Sequence, residues 1–514
     1  MSDPPTFGAL NYTVLGIYLA VMFGIGLWFS RRQATTEDFF LAGRRMPWLI
    51  VAMSMFASLT SAISYMGIPG TAYRENIALL AMAIMSPIAA PFIILIFYPF
   101  YRRLQVTTSY EYLERRYDPR ARFVVSGLFL AARLGWLGTV IYAPALALSV
   151  VTGVDVTLAI LLMGLLATAY TALGGLSAVL WTDVIQFIVL VGGAIWVAVA
   201  LVTSIPGGVS SIYETAAQTD HLRVLDWKVS LYEMTGIVVA VSYFLQFMQD
   251  YGTDQVTVQR LLAVRTFRGM AKAALLNSAF DLVILPLLLF VGLGLFAYYH
   301  IFADRLADGI ASDRVLPYFI MHGLPNGVSG LLITAIFAAA MSSMDSGINS
   351  LATVIVNDFV KPLRHAAKSE KSHVRLARIL TVALGLFATG VAFYASTIEG
   401  ILRASSLFLG LFSGPILAVF LLGILTRRAN FPGWVAGTLV AIPCTLWLKY
   451  GPEVHFVYYF PSCFGISFLV GYLASRLIGR PTAEPCLTLW GRPDLGALDP
   501  QDARSGTRPR PEQR

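Results

Sequence analysis

Charge is what this sequence has least of: only 13% of its 514 residues are charged, against 57% hydrophobic. A soluble domain carries roughly a quarter charged residues, so the deficit excludes an ordinary soluble enzyme. Cysteine is nearly absent as well. Cys444, Cys463 and Cys486 have no metal-ligand spacing, and two of them lie in apolar segments, which excludes a disulfide framework. No Ser-His-Asp or metal-ligand cluster appears, and His300, His322, His365 and His373 fall in loops or at helix ends. The chain is therefore expected not to be an enzyme. The first apolar segment lacks a basic run ahead of it, its Arg31 and Arg32 following instead, so it reads as a retained helix rather than a cleaved signal.

What is present is a succession of apolar runs of about 20 residues, long enough to cross the ~30 Å hydrocarbon layer. Mean hydropathy is +0.70. Spans are expected near 9–30, 46–70, 77–101, 123–152, 155–174, 179–204 and 233–252, then near 270–302, 326–358, 379–396, 400–425, 433–449 and 456–475. The fold class is thus all-α integral membrane, with about thirteen transmembrane helices. The net charge of +8 is concentrated in alternate loops, among them Arg102, Arg103, Arg115 and Arg116, then Arg260, Arg265 and Arg268, then Lys361 to Arg378. Cytoplasmic loops carry such an excess, which puts the amino terminus outside and the carboxyl terminus inside a cell membrane. The bilayer accounts for the basic loops, so no nucleic acid is called for, and no obligate protein partner is evident. Residues 1–45 form the first helix and loop, 46–252 and 253–425 the core, 426–480 two closing helices, and 481–514 a disordered cytoplasmic tail.

Polar residues inside the spans carry the functional reading. Among basic residues only Arg133 falls well inside a span; Asp183, Asp281 and Asp345 are its acidic counterparts. A charge at mid-membrane costs at least ~2.5–3.5 kcal/mol, so it needs a partner, a cavity or an ion. Asp281, near an expected helix end, reads as structural. The segment from Ala338 to Ser350 places Ala339, Ser342, Ser343 and Ser346 on one broad helix face with Asp345 beside it. Hydroxyl, carbonyl and carboxylate oxygens suit a hard alkali cation. Close packing through small residues explains the alanines and serines but not Asp345. The second span holds Ser58, Thr60, Ser61 and Ser64 before Gly67, Pro69 and Gly70, and the seventh ends Gln249-Asp-Tyr-Gly-Thr-Asp-Gln255. Two interrupted helices at corresponding positions of two halves point to a transporter with an inverted repeat and a midplane site.

With Ile141 to Leu148, Gly174 to Gln186, Tyr251 to Arg260 and Ala338 to Ser350 in this order, the chain resembles the sodium:solute symporter family over roughly residues 10–475. That family includes Na⁺-coupled sugar, proline, iodide, monocarboxylate and sialic acid transporters. The resemblance implies a LeuT-type five-plus-five inverted repeat in spans two to eleven, one helix before it and two after. It implies a Na⁺ site formed by the backbone carbonyls of Ala57, Thr60 and Ala339 with the hydroxyls of Ser342 and Ser343. A second Na⁺, found in some members, would lie at Asp183, Ser342, Asp345 and Ser346; Asp345 stands where sialic acid transporters have serine. Ser61 and Ser64 match pocket hydroxyls. The arginine that holds a sialic acid carboxylate is replaced by Trp136.

The function expected is Na⁺-driven symport of a small organic solute by alternating access, with one or two Na⁺ as coupling ion; an organic anion such as a monocarboxylate is the first reading and a sugar, polyol or sialic acid-like solute the alternative. The candidate solute contacts are Ser61, Ser64, Arg133, Trp136, Asp250 and Tyr251. If Arg133 faces the pocket, an organic anion such as a monocarboxylate follows. If it pairs with Asp250 or Asp183, the solute is a neutral sugar or polyol. A passive channel or a membrane sensor is the remote alternative.

Overall fold

In hydrocarbon a backbone polar group finds its partner within its own segment, so each long apolar run is obliged to be helical. The computed structural model describes residues 7–30, 36–172, 175–224, 228–363, 370–479 and 484–491. Ten of the described helices are long and apolar enough to cross a membrane, and one bent pair makes an eleventh. In chain order the spans are α1 (Ala9–Ser30), the pair α2 (Trp48–Leu59) and α3 (Ala62–Arg74), α4 (Leu80–Ile96), α5 (Pro119–Thr152), α6 (Val156–Thr171) and α7 (Leu176–Ser204). Then come the pair α8 (Gly236–Gly252) and α9 (Gln255–Leu262), α10 (Phe267–Ile301), α11 (Val328–Val354), α12 (Glu370–Ala395), α13 (Ile401–Leu425), α14 (Phe431–Tyr450) and α15 (Tyr459–Ile478). The shorter α6 and α8 coincide with the two expected spans that complete thirteen.

Both helix breaks are made by the same local chemistry. At the first, Thr60 leaves the helical region (φ −83°, ψ 79°) and Ser61 restarts the chain as an N-cap, its Oγ accepting from the Ile63 amide at 3.1 Å. The two halves meet at 58°. At the second, the chain leaves helix after Gly252 and Asp254 caps α9, its Oδ1 accepting from the Val256 amide at 2.9 Å.

Between these breaks stands α11, in which every residue from Leu332 to Val354 is buried. It is enclosed by α1, α2, α5 and α7. Small residues make that enclosure close: a Cβ on Gly347 would meet Leu137 at 2.8 Å. The peripheral helices instead expose apolar side chains outward, as Leu158, Leu162 and Leu165 of α6 and Ile188, Trp196 and Val199 of α7 do. Such faces suit lipid.

The end bearing the basic loops is closed by buried polar contacts. Asp358 accepts from Thr108, Ser126 and Arg122, with Arg122 Nη2 at 2.6 Å. Arg116, fully buried, donates to the carbonyls of Gly423 and Thr426, each at 2.8 Å. The tail corrects one expectation. Residues 484–491 are not disordered: the Tyr112 hydroxyl donates to the Leu487 carbonyl at 2.9 Å and Trp490 Nε1 to the Leu425 carbonyl at 3.0 Å. Leu487 is apolar and finds a buried place there, which a charge-rich average over 481–514 conceals. The rest of that tail lies outside the described residues.

Candidate ion and solute sites

The break at Thr60 leaves carbonyls at the end of α2 without their usual amides. The Ser61 amide turns back to Leu59, so the Ala57 carbonyl accepts from the Ser342 hydroxyl at 2.7 Å instead. One residue on, the Ser58 carbonyl accepts from the Ser343 hydroxyl at 2.9 Å. Both hydroxyls also reach the Ala339 carbonyl, at 3.1 and 3.2 Å. Four of the five oxygens expected for the first Na⁺ therefore converge between α2 and α11, and Thr60 is the break residue itself. All are neutral oxygens in a buried setting, a donor set for an alkali cation rather than a transition metal. The Ser58 carbonyl is an addition that the sequence reading missed.

The second expected set looks different. Asp183 Oδ2 accepts from Ser54 at 2.5 Å and from Ser58 at 3.2 Å, and it forms an ion pair with Arg260 Nη2 at 3.2 Å. Arg260 also donates to Ser54 at 2.8 Å and to the Ser346 hydroxyl. Ser346 lies 2.8 Å from Ser58 and 3.2 Å from Asp345 Oδ1. The Ser342 hydroxyl is engaged at the first site and contributes only its carbonyl here, which accepts from Ser346. A guanidinium thus stands in the midst of Asp183, Ser346 and Asp345. Asp183 Oδ1 and Asp345 Oδ2 have no hydrogen-bond partner among the described residues.

This corrects the expectation that Arg133 is the sole intramembrane cation. Arg260 had been assigned to a basic loop, but the break at Thr253 and Asp254 keeps α9 inside the bundle and Arg260 buried. The signal was available in Val258-Gln-Arg260, which travels with the second broken helix.

Every expected solute contact lines one cavity of about 90 Å³: Ser61, Ser64, Arg133, Trp136, Asp250 and Tyr251. On α8 the residues Tyr243, Gln246, Phe247, Asp250 and Tyr251 follow helical spacing i, i+3, i+4, i+7, i+8, so a single face supplies them. Arg133 Nη2 is held 2.5 Å from Asp254 Oδ2, with both side chains 2% exposed, and its guanidinium stacks 4.5 Å from the Trp136 ring centre. Its partner is neither Asp250 nor Asp183, because the cap role of Asp254 brings that carboxylate against Arg133. Asp281 is a second correction. It sits mid-helix in α10 and lines the cavity, accepting from Ser86 and from the Tyr251 hydroxyl, both at 2.5 Å. Span eight thereby joins the wall, as do Ser405 and Ser406 from α13.

Leu402 lines this cavity and also a vestibule of about 310 Å³ at the end opposite the basic loops. The vestibule wall carries Arg74, Glu75, Asp313, Glu399, Arg403 and His455. Burial raises the Asp313 carboxyl above its usual range although its Oδ2 accepts from the Ile401 amide at 2.8 Å. Burial first, then the Arg403 charge, pushes the His455 imidazole down to about 4.

Comparison with known proteins gives a consistent picture. The model of the sodium:solute symporter family matches residues 39–441. The chain is 34% identical over 457 residues to the sodium/sialic acid symporter SiaT of Proteus mirabilis, covering 88% of this chain and 92% of that protein. It is 33% identical over 464 residues to the human sodium/iodide cotransporter, covering 88% of this chain and 71% of the other. A substrate-bound outward-open structure of a Na⁺-coupled sialic acid symporter superposes with a TM-score of 0.86 at 32% identity, over 93% of this chain and all of that one.

Proposed function

This chain belongs to the sodium:solute symporter family, and from that membership we propose how its two sites couple Na⁺ to a small polar solute. It is a multi-pass membrane protein, a Na⁺-coupled symporter and not an enzyme. We assign the first Na⁺ to the carbonyls of Ala57, Thr60 and Ala339 with the hydroxyls of Ser342 and Ser343. The observation that carries the coupling is the position of Thr60: it forms the helix break whose carbonyls face the ion, and it lines the solute cavity. An ion bridging α2 and α11 fixes the break, and with it Ser61 and Ser64 in the cavity wall. Solute binding is then favoured by the ion and the ion by the solute, since coupling between two sites is reciprocal.

Topology follows from charge. With the basic loops in the cytoplasm, the vestibule faces outside and the closed end faces inside. The cavity beneath Leu402 is then entered from outside, and inward release requires opening the contacts around Asp358 and Arg116. Movement of one Na⁺ down the membrane potential contributes about 2.3 kcal/mol per 100 mV. For a second ion, Asp345 is the carboxylate that remains, because Arg260, Ser54 and Ser58 already hold Asp183.

The test is uptake and stability together. Purified protein in Na⁺ should unfold at a higher temperature than in K⁺, since a ligand bound only by the folded state raises its stability. Proteoliposomes should accumulate solute only under an inward Na⁺ gradient. Equal behaviour in Na⁺ and K⁺ would remove the assignment.

A further inference from the structure

The solute cavity is lined by more carboxyl groups than cations. Its lone cation, Arg133, is cancelled by Asp254 at 2.5 Å, and Asp254 is itself fully used, one oxygen on the ion pair and the other capping α9. Two further carboxylates, Asp250 and Asp281, line the same cavity, and none of the ion pairs among the described residues includes either. Asp281 is met by two neutral hydroxyls. Asp250, half-buried, has the Gln246 amide beside it and Arg133 near enough to act on its charge.

Charges removed from water need a partner of opposite sign or they are costly. A solute carboxylate placed here would be the third acidic group in one small cavity, beside a guanidinium that is paired with Asp254 and keeps Nε and Nη2 without a hydrogen-bond partner among the described residues. An ammonium meets the reverse situation. It forms a charge-assisted hydrogen bond to Asp250, and it finds aromatic faces on the same wall in Tyr243, Phe247 and Tyr251. Phe247 and Tyr251 lie 5.3 Å apart, centre to centre, one helical turn from each other and flanking Asp250. Aromatic rings attract a cation within about 6 Å of their centroids. Trp136 has one face covered by Arg133, so the α8 rings are the available ones.

We propose that the transported solute carries a protonated amine, held by Asp250 against the Phe247 and Tyr251 rings, with its hydroxyl or other polar atoms on Ser61 and Ser64. This rests on the symporter reading and narrows it. It departs from the acidic substrates implied by sialic acid and monocarboxylate relatives, and the residue behind that departure is Trp136 together with the capture of Arg133 by Asp254.

Two matched sets of probes decide it, each holding the scaffold fixed while the charge changes. One set is glucose, glucosamine and glucuronate; the other is propylene glycol, isopropanolamine and lactate. Thermal unfolding of the full-length protein is followed with each probe in Na⁺ and in K⁺. The amine of at least one set should raise the unfolding temperature in Na⁺ well above its neutral and acidic counterparts. In Asp250→Asn the preference for that amine should fall about tenfold in apparent affinity, the loss expected when a charge-assisted bond is removed. A carboxylate that stabilises more than the amine overturns the proposal, as does silence from both amines or an intact amine preference in Asp250→Asn. If Asp250→Asn does not fold, the ranking in the wild-type protein decides alone. A Na⁺-against-K⁺ difference that is absent without any solute overturns the symporter reading instead, whatever the amines do.

Discussion

Two buried arginine–aspartate pairs lie in this bundle, built from the same parts and set to different uses. Arg260 with Asp183 is 1% and 0% exposed; Arg133 with Asp254 is 2% and 2% exposed. Each has a further carboxylate nearby, Asp345 in the first case and Asp250 in the second. Around Arg260 and Asp183 the remaining neighbours are short hydroxyls, Ser54, Ser58 and Ser346, which hydrogen-bond the guanidinium and one carboxylate oxygen. Around Arg133 they are aromatic rings and an open cavity. In the function proposed above, one charge arrangement serves an ion site when packed with hydroxyls and a solute site when it borders empty space.

The largest expected effect tests that difference directly. Removing one partner of a fully enclosed pair leaves an uncompensated buried charge, at a cost of about 3–5 kcal/mol. Arg260→Ala should lose stability on that scale, measured by thermal unfolding in detergent. Arg133→Ala should lose less, about 1–3 kcal/mol, because the adjoining cavity lets water reach the carboxylate left behind. Equal losses would break the comparison.

Smaller, and specific to the ion, is the effect of Ser343→Ala. The Ser343 hydroxyl is one of the neutral oxygens at the break, and losing one such contact costs about 1–1.5 kcal/mol. The Na⁺ concentration for half-maximal uptake should rise about tenfold. Solute affinity at saturating Na⁺ should change little. A variant that lost solute binding at every Na⁺ concentration would place Ser343 in the scaffold instead.

Asp345→Ser sharpens the charge count. Asp345 and Asp183 share one guanidinium, and crowded carboxylates disfavour one another's ionisation. Neutralising Asp345 should stabilise the protein in K⁺ by about 1 kcal/mol while shrinking the extra stabilisation that Na⁺ gives. A loss of stability in K⁺ would mean that Arg260 serves both carboxylates and that no negative charge is in surplus.

Sequence alone revealed the order of the spans and the two breaks, because hydropathy and the glycine-, proline- and hydroxyl-rich interruptions are local properties. The ligands proposed for the first ion came from the family resemblance, which fixes their positions on two segments. The charge partners were not. Arg260 falls in a polar stretch that hydropathy assigns to a loop, and only the tertiary course of α9 buries it. Asp281 was read as structural for want of any sign that Ser86 and Tyr251 approach it from two other helices. Arg133 was singled out and lines the cavity, yet its partner depends on the angle at which α9 leaves the second break, and no spacing rule supplies that angle.

The smallest effect comes from the mouth of the cavity, which water reaches and the Arg260 site does not meet. Burial and the neighbouring Arg403 push His455 down from its usual 6.5 to about 4. As pH falls the unfolded chain takes up this proton first, so folding stability falls with pH between about 6.5 and 4 and levels off below. Burial raises Asp313 and Glu75, which works in the opposite direction, because there the folded state holds the proton more firmly. The wild-type profile is therefore a difference of two slopes. His455→Gln removes the slope that costs stability in acid, so stability relative to wild type should rise as pH falls from about 6.5 to 4, with unfolding temperature against pH as the measurement. An unchanged profile would mean that His455 is as hydrated in the folded protein as in the unfolded chain, and that the vestibule is more open than its walls imply.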